Sequence, residues 1–417
     1  MPEPAVAIVG AGPAGLIAAE ILGRAGLAVT VYDRMPSVGR KFLMAGRGGL
    51  NLTHSEPFDR FVTRYGPVAD RLRPMLEAFS PADLTAWADG LGQPTFVGSS
   101  GRVFPRALKA SPLLRAWMAR LAGQGVRLRT RARWLGWDAA GALCFETPEG
   151  PLTVAPGATV LALGGASWPS LGSDGSWAPI LAGAGVPLAP FRPANSGFDL
   201  AWSQTFAARF AGAPLKAVAL THGARTVRGE IVVSRYGIEG GAVYALSASL
   251  REAVEREGAA SLTVDLRPDM SAGQIAARLA KVRAGETLAN GLRKALALPP
   301  VAVNLLREAF GPALPRAPEA LAAAVKAAPL RVTGVQGLER AISAAGGVAW
   351  GGVDEALQLK ARPGVFVAGE MLDWEAPTGG YLLQASFATG ARAAAGVLSF
   401  LRPAGPAATA ARPRAPA

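Results

Sequence analysis

Residues Ala5–Gly10 form an unbroken apolar run that ends in Gly10-x-Gly12-x-x-Gly15, and an alanine- and leucine-rich stretch continues to Gly26. This order predicts a buried strand, a tight turn and a helix. Gly10 allows the turn, Gly12 lets backbone approach a pyrophosphate, and Gly15 lets the helix close on the strand. Pro13 and Ala14 open the helix, whose first N–H groups have no intrahelical partner and favour an anion. The next strand, "AVTVYD", ends on Asp33, 18 residues past Gly15 and about where a carboxylate meets ribose hydroxyls. A chain that begins in this way is constrained to an α/β, Rossmann-like architecture.

The turn alone does not choose between dinucleotides. Three later features favour FAD over NAD. Arg34, Arg40 and Lys41 stand just beyond Asp33, placed to neutralise phosphates; the last two open the stretch "GRKFLMAGRGGLNLTH". That stretch is too rich in glycine for a core helix and too basic for a plain turn. Next, "LALGGA" reads as a strand delivering Gly164-Gly165 to a ligand. Finally, "VFVAGEMLDWEAPTGGYLLQ" delivers Gly369-Glu370 and then a Gly379-Gly380 turn that opens a helix, a second anion site. Two helix N-termini and three glycine-lined strand ends suit a ligand with two phosphates and two ring systems.

The remaining chain sorts into blocks. Helical periodicity covers "FDRFVTRYGPVADRLRPMLEAF", "SPADLTAWADGLG" and "SPLLRAWMARLAGQG", the last two each opening with a Ser-Pro cap and first turn. Strands are predicted at Val126–Thr130, Arg133–Trp137, Leu143–Thr147, Leu152–Val154 and "ATVLALGG". From about Pro190 short alternating runs ("AVALTHG", "RTVRGEIVVS", "GAVYALS", "SLTVDLR") predict antiparallel β structure. Ser271–Ala328 reads as helical, short strands return after Leu330, and a helix is predicted over Leu383–Phe400. The expected organisation is residues 1–190 as the first part of an FAD-binding domain, 191–270 as an inserted β-barrel-like subdomain and 271–330 as a helical subdomain. Residues 331–401 return to the β subdomain and FAD-binding domain, and 402–417 form a Pro/Ala-rich disordered tail.

Composition removes several chemistries. With one cysteine (Cys144) and two histidines (His54, His222), a disulfide framework, a metal centre or a Ser-His-Asp triad is hard to assemble. No metal is expected. Cys144 and His222 read as strand residues, whereas His54 is close enough to the Gly-rich loop to approach a bound ring. The single cysteine, the absence of a signal peptide before "AVAIVG" and the absence of a long apolar run predict a cytoplasmic protein that does not cross a membrane. The net charge of +13 suits a polyanionic partner such as RNA. Most of the 43 basic residues are scattered arginines, so GC-rich codon usage explains the same number.

The combination "GRKFLMAGRGGLNLTH", "GRVFP", "LALGGASWPSLGSDGS", "GEIVVSRYGIEGG", "AAGGVAWGGVD" and "VFVAGEMLDWEAPTGGYLLQ" resembles the BaiN/RdsA-like (YhiN-type) FAD flavoproteins across nearly the whole chain. The resemblance implies that Gly369, Glu370, Gly379, Gly380, Tyr381 and Gln384 lie along the flavin and its ribityl-pyrophosphate chain. It also implies that Gly46, Asn51 and Leu52 pass close to the ring. Activities attached to the family are reductions of carbon–carbon double bonds, in a steroid-type acid or in a uracil of ribosomal RNA. The chain departs from the family pattern at two points: an Arg-Cys pair is replaced by Gly49-Leu50, and a His by Arg235.

The flavin would carry the redox step, exchanging hydride between N5 and an electron-poor double bond. Tyr236 and Tyr381 are the candidate proton donors; Arg235, Arg47 and Arg102 are the candidates for polarising a carbonyl or stabilising anionic flavin. Tyr236 reads equally as a turn packing residue, and Arg102 and Phe104 as loop anchors. No second G-x-G-x-x-G occurs mid-chain, which leaves NAD(P)H as a transient donor docking at the open ring face. The alternatives are a non-catalytic FAD-bound factor associated with RNA or the ribosome, and a flavin monooxygenase. Substrate and oligomeric state are left open.

Overall fold

The computed structural model describes residues 5–45, 48–283 and 285–401. The expected tail therefore lies outside the described residues, as do Gly46 and Arg47 of the Gly-rich loop.

Five parallel strands form the central sheet, in the order Val365–Val367, Ala158–Leu161, Val6–Val9, Val29–Tyr32 and Arg127–Arg129. Strands buried on both faces read as continuous apolar runs, which explains "VAIV" and "ATVL". Within the first strand, Val6 and Ile8 pack with the helices Pro13–Arg24 and Tyr381–Leu401. Ala7 and Val9 face the opposite layer, where Trp134, Leu143 and Phe145 belong to an antiparallel meander of Arg133–Trp137, Leu143–Thr147 and Gly150–Val154. The two long helices cross closely: a side chain at Gly390 would strike the backbone of Ala14.

A second core lies in a seven-stranded antiparallel sheet ordered Ala328–Val332, Ala260–Asp265, Pro214–His222, Arg225–Val233, Gly237–Glu239, Phe198–Asp199 and Gly334–Val335. Its two edge strands are consecutive pieces of one segment, separated only by Thr333, whose N–H bonds to the Asp199 carbonyl. The sheet thus curls back on itself, the barrel-like form expected. Helices Ala272–Leu279, Leu288–Leu296, Pro300–Phe310 and Pro318–Lys326 pack their apolar faces on this core. The strands Leu188–Ala194 and Ser343–Val348 pair antiparallel where the chain passes between the two cores.

Four local expectations need correction. Arg40–Ala45, in the stretch expected to be non-helical, is a short helix with Phe42 buried. "GAVYALS" is not a strand. Gly241–Tyr244 is a turn of helix, because Gly240 (φ 108°) breaks the strand and Gly229 leaves room for Ala242. Ser80 caps its helix with a reciprocal bond to Asp83, but Ser111 does not, since that helix already begins at Ala110. The periodic stretch from Phe58 is broken at Gly66 (φ 55°) and Pro67 into Phe58–Val62 and Ala69–Ala78 with a 3-10 turn between.

Candidate active site

Three parallel strands end in glycine at one sheet edge: Val6–Val9 at Gly10, Ala158–Leu161 near Gly164, and Val365–Val367 near Gly369. Open α/β sheets bind ligands at the carboxyl ends of such strands. A side chain at Gly10 (φ 110°) would overlap the Ala162 carbonyl, whereas one at Gly12 would meet nothing within 4 Å. Gly12 therefore faces open space, at a helix N-terminus without a side-chain cap. A cleft runs from there, lined by Gly10, Pro13, Asp33, Arg34, Arg40, Lys41 and Gly164 among others. Asp33 sits at its edge, accepting N–H bonds from Ala11 (2.7 Å) and Met35 (2.8 Å). Burial pushes its carboxyl above the ordinary aspartate value, against those two bonds.

The basic trio behind Asp33 divides. Arg34 is held by Asp174 at 2.5 Å and so is already neutralised. Arg40 reaches Ser37 at 3.3 Å. The Nε atoms of Arg34 and Arg40 are both buried without a partner among the described residues. Lys41 lies between Ser167 Oγ and Glu370 Oε2, each at 2.7 Å, and lines both this cleft and a second one.

The second cleft, about 480 Å³, continues past Lys41 and Glu370. Its apolar wall comes from Phe42, Met44, Ile342, Leu382 and Leu383; its polar rim from Asn51, Arg102 and Tyr244. Gly379 and Gly380 form one side at the start of the helix Tyr381–Leu401. Any side chain at Gly380 (φ 96°) would collide with the Thr53 backbone at 2.5 Å. Among the described residues, Asn51 Oδ1 is buried with no hydrogen-bond partner. Trp168 adopts the left-handed conformation (φ 61°), rare for a bulky residue, on the cleft wall.

The geometry reassigns several residues expected at the ring. The Tyr381 side chain turns into the core, its hydroxyl donating to Glu56 Oε1 at 2.5 Å and its ring against Phe61 and His54. Gln384 is fully buried and donates to the Phe79 carbonyl at 2.7 Å. Leu50 and Leu52 are core residues; away from the ring, Gly15 lets the helix close on the strand, as its place in the turn implies, and Ala14 serves helix–helix packing. Gly165 packs against Ala344 and Glu370, while Gly369 donates its N–H to Thr389 Oγ1. Tyr236 donates to Glu239 at 2.6 Å beneath Arg340 and, like the exposed Arg235, does not line the cleft. Both phenols have pKa values raised by burial and by the carboxylate each one bonds. The geometry therefore gives neither tyrosine access to a substrate in the second cleft.

His54 is fixed between the Ser100 carbonyl and the Glu56 N–H, and Phe104 stacks on Phe96, so both anchor the loop beside the cleft. His222 contacts the Ser261 carbonyl from a strand end, and Cys144 sits half-buried in the meander. Sequence reasoning missed Tyr244 and Trp168. "GAVYALS" alternates like a strand and gave no sign of the helical turn that carries Tyr244 to the rim. Among the described residues, no group of acidic, histidine or cysteine side chains could hold a metal ion.

Residues 4–396 match the family described as HI0933-like protein Rossmann domain. The chain belongs to that family. Over 404 residues it is 29% identical to the 3-dehydro-bile acid delta(4,6)-reductase of Clostridium scindens, covering 92% of this chain and 97% of that protein. A shorter stretch of 49 residues is 49% identical to the ribosomal RNA dihydrouridine synthase of Haemophilus influenzae, 12% of each chain. Among solved structures, the 3-ketosteroid delta1-dehydrogenase of Sterolibacterium denitrificans, in complex with 1,4-androstadiene-3,17-dione, superposes with a TM-score of 0.53 at 12% identity. That superposition covers 95% of this chain and 99% of the other, and at such identity it is a likeness of fold. Together with the family match it gives the Rossmann-like FAD-binding fold expected from the sequence. Among the described residues no helix is long and apolar enough to cross a membrane.

Proposed function

We propose that this protein is an FAD-dependent oxidoreductase acting on a carbon–carbon double bond conjugated to a carbonyl, in a flat apolar molecule of about steroid size. The observation that carries this is the pair of clefts that meet at Pro13, Lys41 and Phe42, one lined by the glycine turn and Asp33, the other apolar with an acceptor at Asn51 that no described residue bonds. The donor set fits the cofactor. Gly12 and the first N–H groups of Pro13–Arg24 would hold the pyrophosphate, Asp33 the adenosine ribose, and Asn51 Oδ1 a ring N–H. When bound, FAD supplies hydride exchange at N5. Lys41 is poised to share its charge between Glu370 and a phosphate or ribityl oxygen.

At the rim, Arg102 has no ionic partner among the described residues and faces the cleft, so it is available to polarise a substrate carbonyl. Tyr244 is the phenol on the cleft wall. A phenol carries its proton at neutral pH, available for delivery to the carbon alpha to the carbonyl, and burial and the nearby Glu239 raise its pKa further. The 29% identity to a bile acid reductase over nearly the full length supports a steroid-type substrate. The excess of basic residues and the shorter match to a ribosomal RNA dihydrouridine synthase favour a uracil base as the second reading.

The test is anaerobic. Purified protein should be yellow, its flavin should bleach with NADH or NADPH, and the reduced protein should be reoxidised by a conjugated steroid ketone. Reoxidation by unmodified ribosomal RNA but not by the steroid would select the second reading. A colourless protein that takes up no FAD would reject both.

A further inference from the structure

The segment Glu375–Thr378 lies immediately before Gly379-Gly380, the turn that lines the second cleft and opens the helix Tyr381–Leu401. Two consecutive glycines at φ 135° and 96° have little conformational preference of their own, so their position must be imposed from both sides. Downstream, the Tyr381 hydroxyl is fixed on Glu56. Upstream, Ala376 packs in the core beneath the Rossmann sheet, but among the described residues the side-chain hydrogen bonds to the segment come from outside that sheet.

Arg251, on the helix Ser247–Glu257 beside the barrel, is fully buried. It donates to both oxygens of Glu375, at 2.6 and 3.0 Å, and to the Pro193 carbonyl at 2.9 Å. Two residues after Pro193, Asn195 clamps the rest of the segment: Nδ2 donates to the Ala376 carbonyl at 2.8 Å, and Oδ1 accepts the Thr378 N–H at 3.0 Å. Asn195 is itself in the left-handed conformation (φ 52°), which asparagine tolerates better than most side chains, and a further Nδ2 bond to Ser343 Oγ at 2.8 Å holds it there. Three of the four residues of the segment are thus gripped by the barrel helix and its connecting strand.

We infer that Arg251 and Asn195 are positioning residues for the cofactor: through Glu375–Thr378 they hold Gly379-Gly380 and the helix N-terminus where the ring must lie. The barrel region then completes a flavin site that the Rossmann sheet alone leaves unfinished. A bidentate guanidinium–carboxylate pair suits this use because it fixes orientation as well as distance. The inference rests on FAD as the cofactor, and its test separates the two.

The full-length apoprotein is titrated with FAD, following quenching of flavin fluorescence, for wild type, Arg251→Met, Arg251→Lys and Asn195→Asp. Lys326→Met serves as control; it removes a partly buried ion pair to Asp265 (2.6 Å) within the barrel and helical region, away from the segment. Arg251→Met should weaken FAD binding by about ten-fold or more, Arg251→Lys and Asn195→Asp by less, and Lys326→Met not at all, even where its loss of thermal stability is as large. Equal weakening in Lys326→Met, or none in Arg251→Met, overturns the inference. Hydrogen exchange on the same apoproteins reads the strap without the cofactor. Protection over residues 375–382 should fall in Arg251→Met and hold in Lys326→Met, and unchanged protection in Arg251→Met overturns the inference. A wild type that takes up no FAD refutes the cofactor assignment, while exchange still decides the strap.

Discussion

The two joined clefts are built from different material. The first is built around main chain, a glycine turn, a helix N-terminus and three strand ends, with the side chains of Asp33, Arg34, Arg40 and Lys41 around it. The second is made of side chains delivered by separate segments, with Lys41, Asn51, Arg102, Tyr244 and Glu370 scattered over more than 300 positions. A backbone cradle recognises what every dinucleotide shares and tolerates little change. A side-chain rim recognises what one substrate has and can be rewritten residue by residue. Under the proposed function the same contrast separates binding from chemistry, and substitutions on each side should fail in different ways.

The largest effect is expected at Gly12. Its Cβ direction is open, so Gly12→Val should leave the apoprotein's melting temperature within a few degrees of wild type while filling the space a pyrophosphate needs. Retention of FAD through purification should be lost, as read by the flavin absorbance per protein. A yellow Gly12→Val protein would show that the first cleft is not the phosphate site. Gly380→Ala makes the complementary break on the second cleft: the new Cβ meets the Thr53 backbone in a left-handed conformation. The expected cost is about 2–4 kcal/mol of stability, measured by denaturant unfolding, with weaker FAD binding alongside.

Rim variants should act otherwise. Arg102→Ala and Tyr244→Phe should keep FAD and slow reoxidation by substrate, the first mainly through KM. Tyr244→Phe should act through the rate itself, by about 10²-fold or more if its proton is the one delivered. Loss of flavin in either variant would move that residue from substrate to cofactor. Lys41→Met sits on the boundary and should weaken FAD by about ten-fold while leaving Glu370, with 13% of its side chain exposed, without its cation.

The same contrast explains what could be read in advance. The turn Gly10–Gly15, Asp33 and the Gly379-Gly380 turn were legible because backbone geometry restricts which residues fit, and glycine marks the place. The rim was not, because cavity-facing side chains follow no period. Tyr236 and Tyr381 were favoured as acids for their setting in motifs, yet each bonds a carboxylate three or more residues away in sequence or across the fold. Tyr244 escaped because four residues of helix hide inside an alternating pattern. Arg251 gave no sign at all: its partner Glu375 lies 124 positions downstream.

The smallest expected effect, at Tyr381, decides whether that motif tyrosine is structural. Its hydroxyl shares Glu56 with Arg64, which holds the carboxylate at 2.9 and 2.6 Å. Burial raises the Glu56 pKa, but the bonds from Arg64 and Tyr381 outweigh it and hold the carboxyl below the usual glutamate range. A depressed folded-state pKa stabilises the protein above the unfolded value of about 4.3, and that contribution is lost as pH falls through the folded value. Tyr381→Phe removes one of the bonds, so it should cost about 1 kcal/mol at neutral pH and progressively less in acid, seen as melting curves that converge only as pH falls below the unfolded glutamate value and through the lower folded one. Substrate turnover should stay within a few-fold of wild type. A hundred-fold loss of turnover at unchanged stability would instead return Tyr381 to the reacting atoms and place the second cleft's chemistry on the wrong residue.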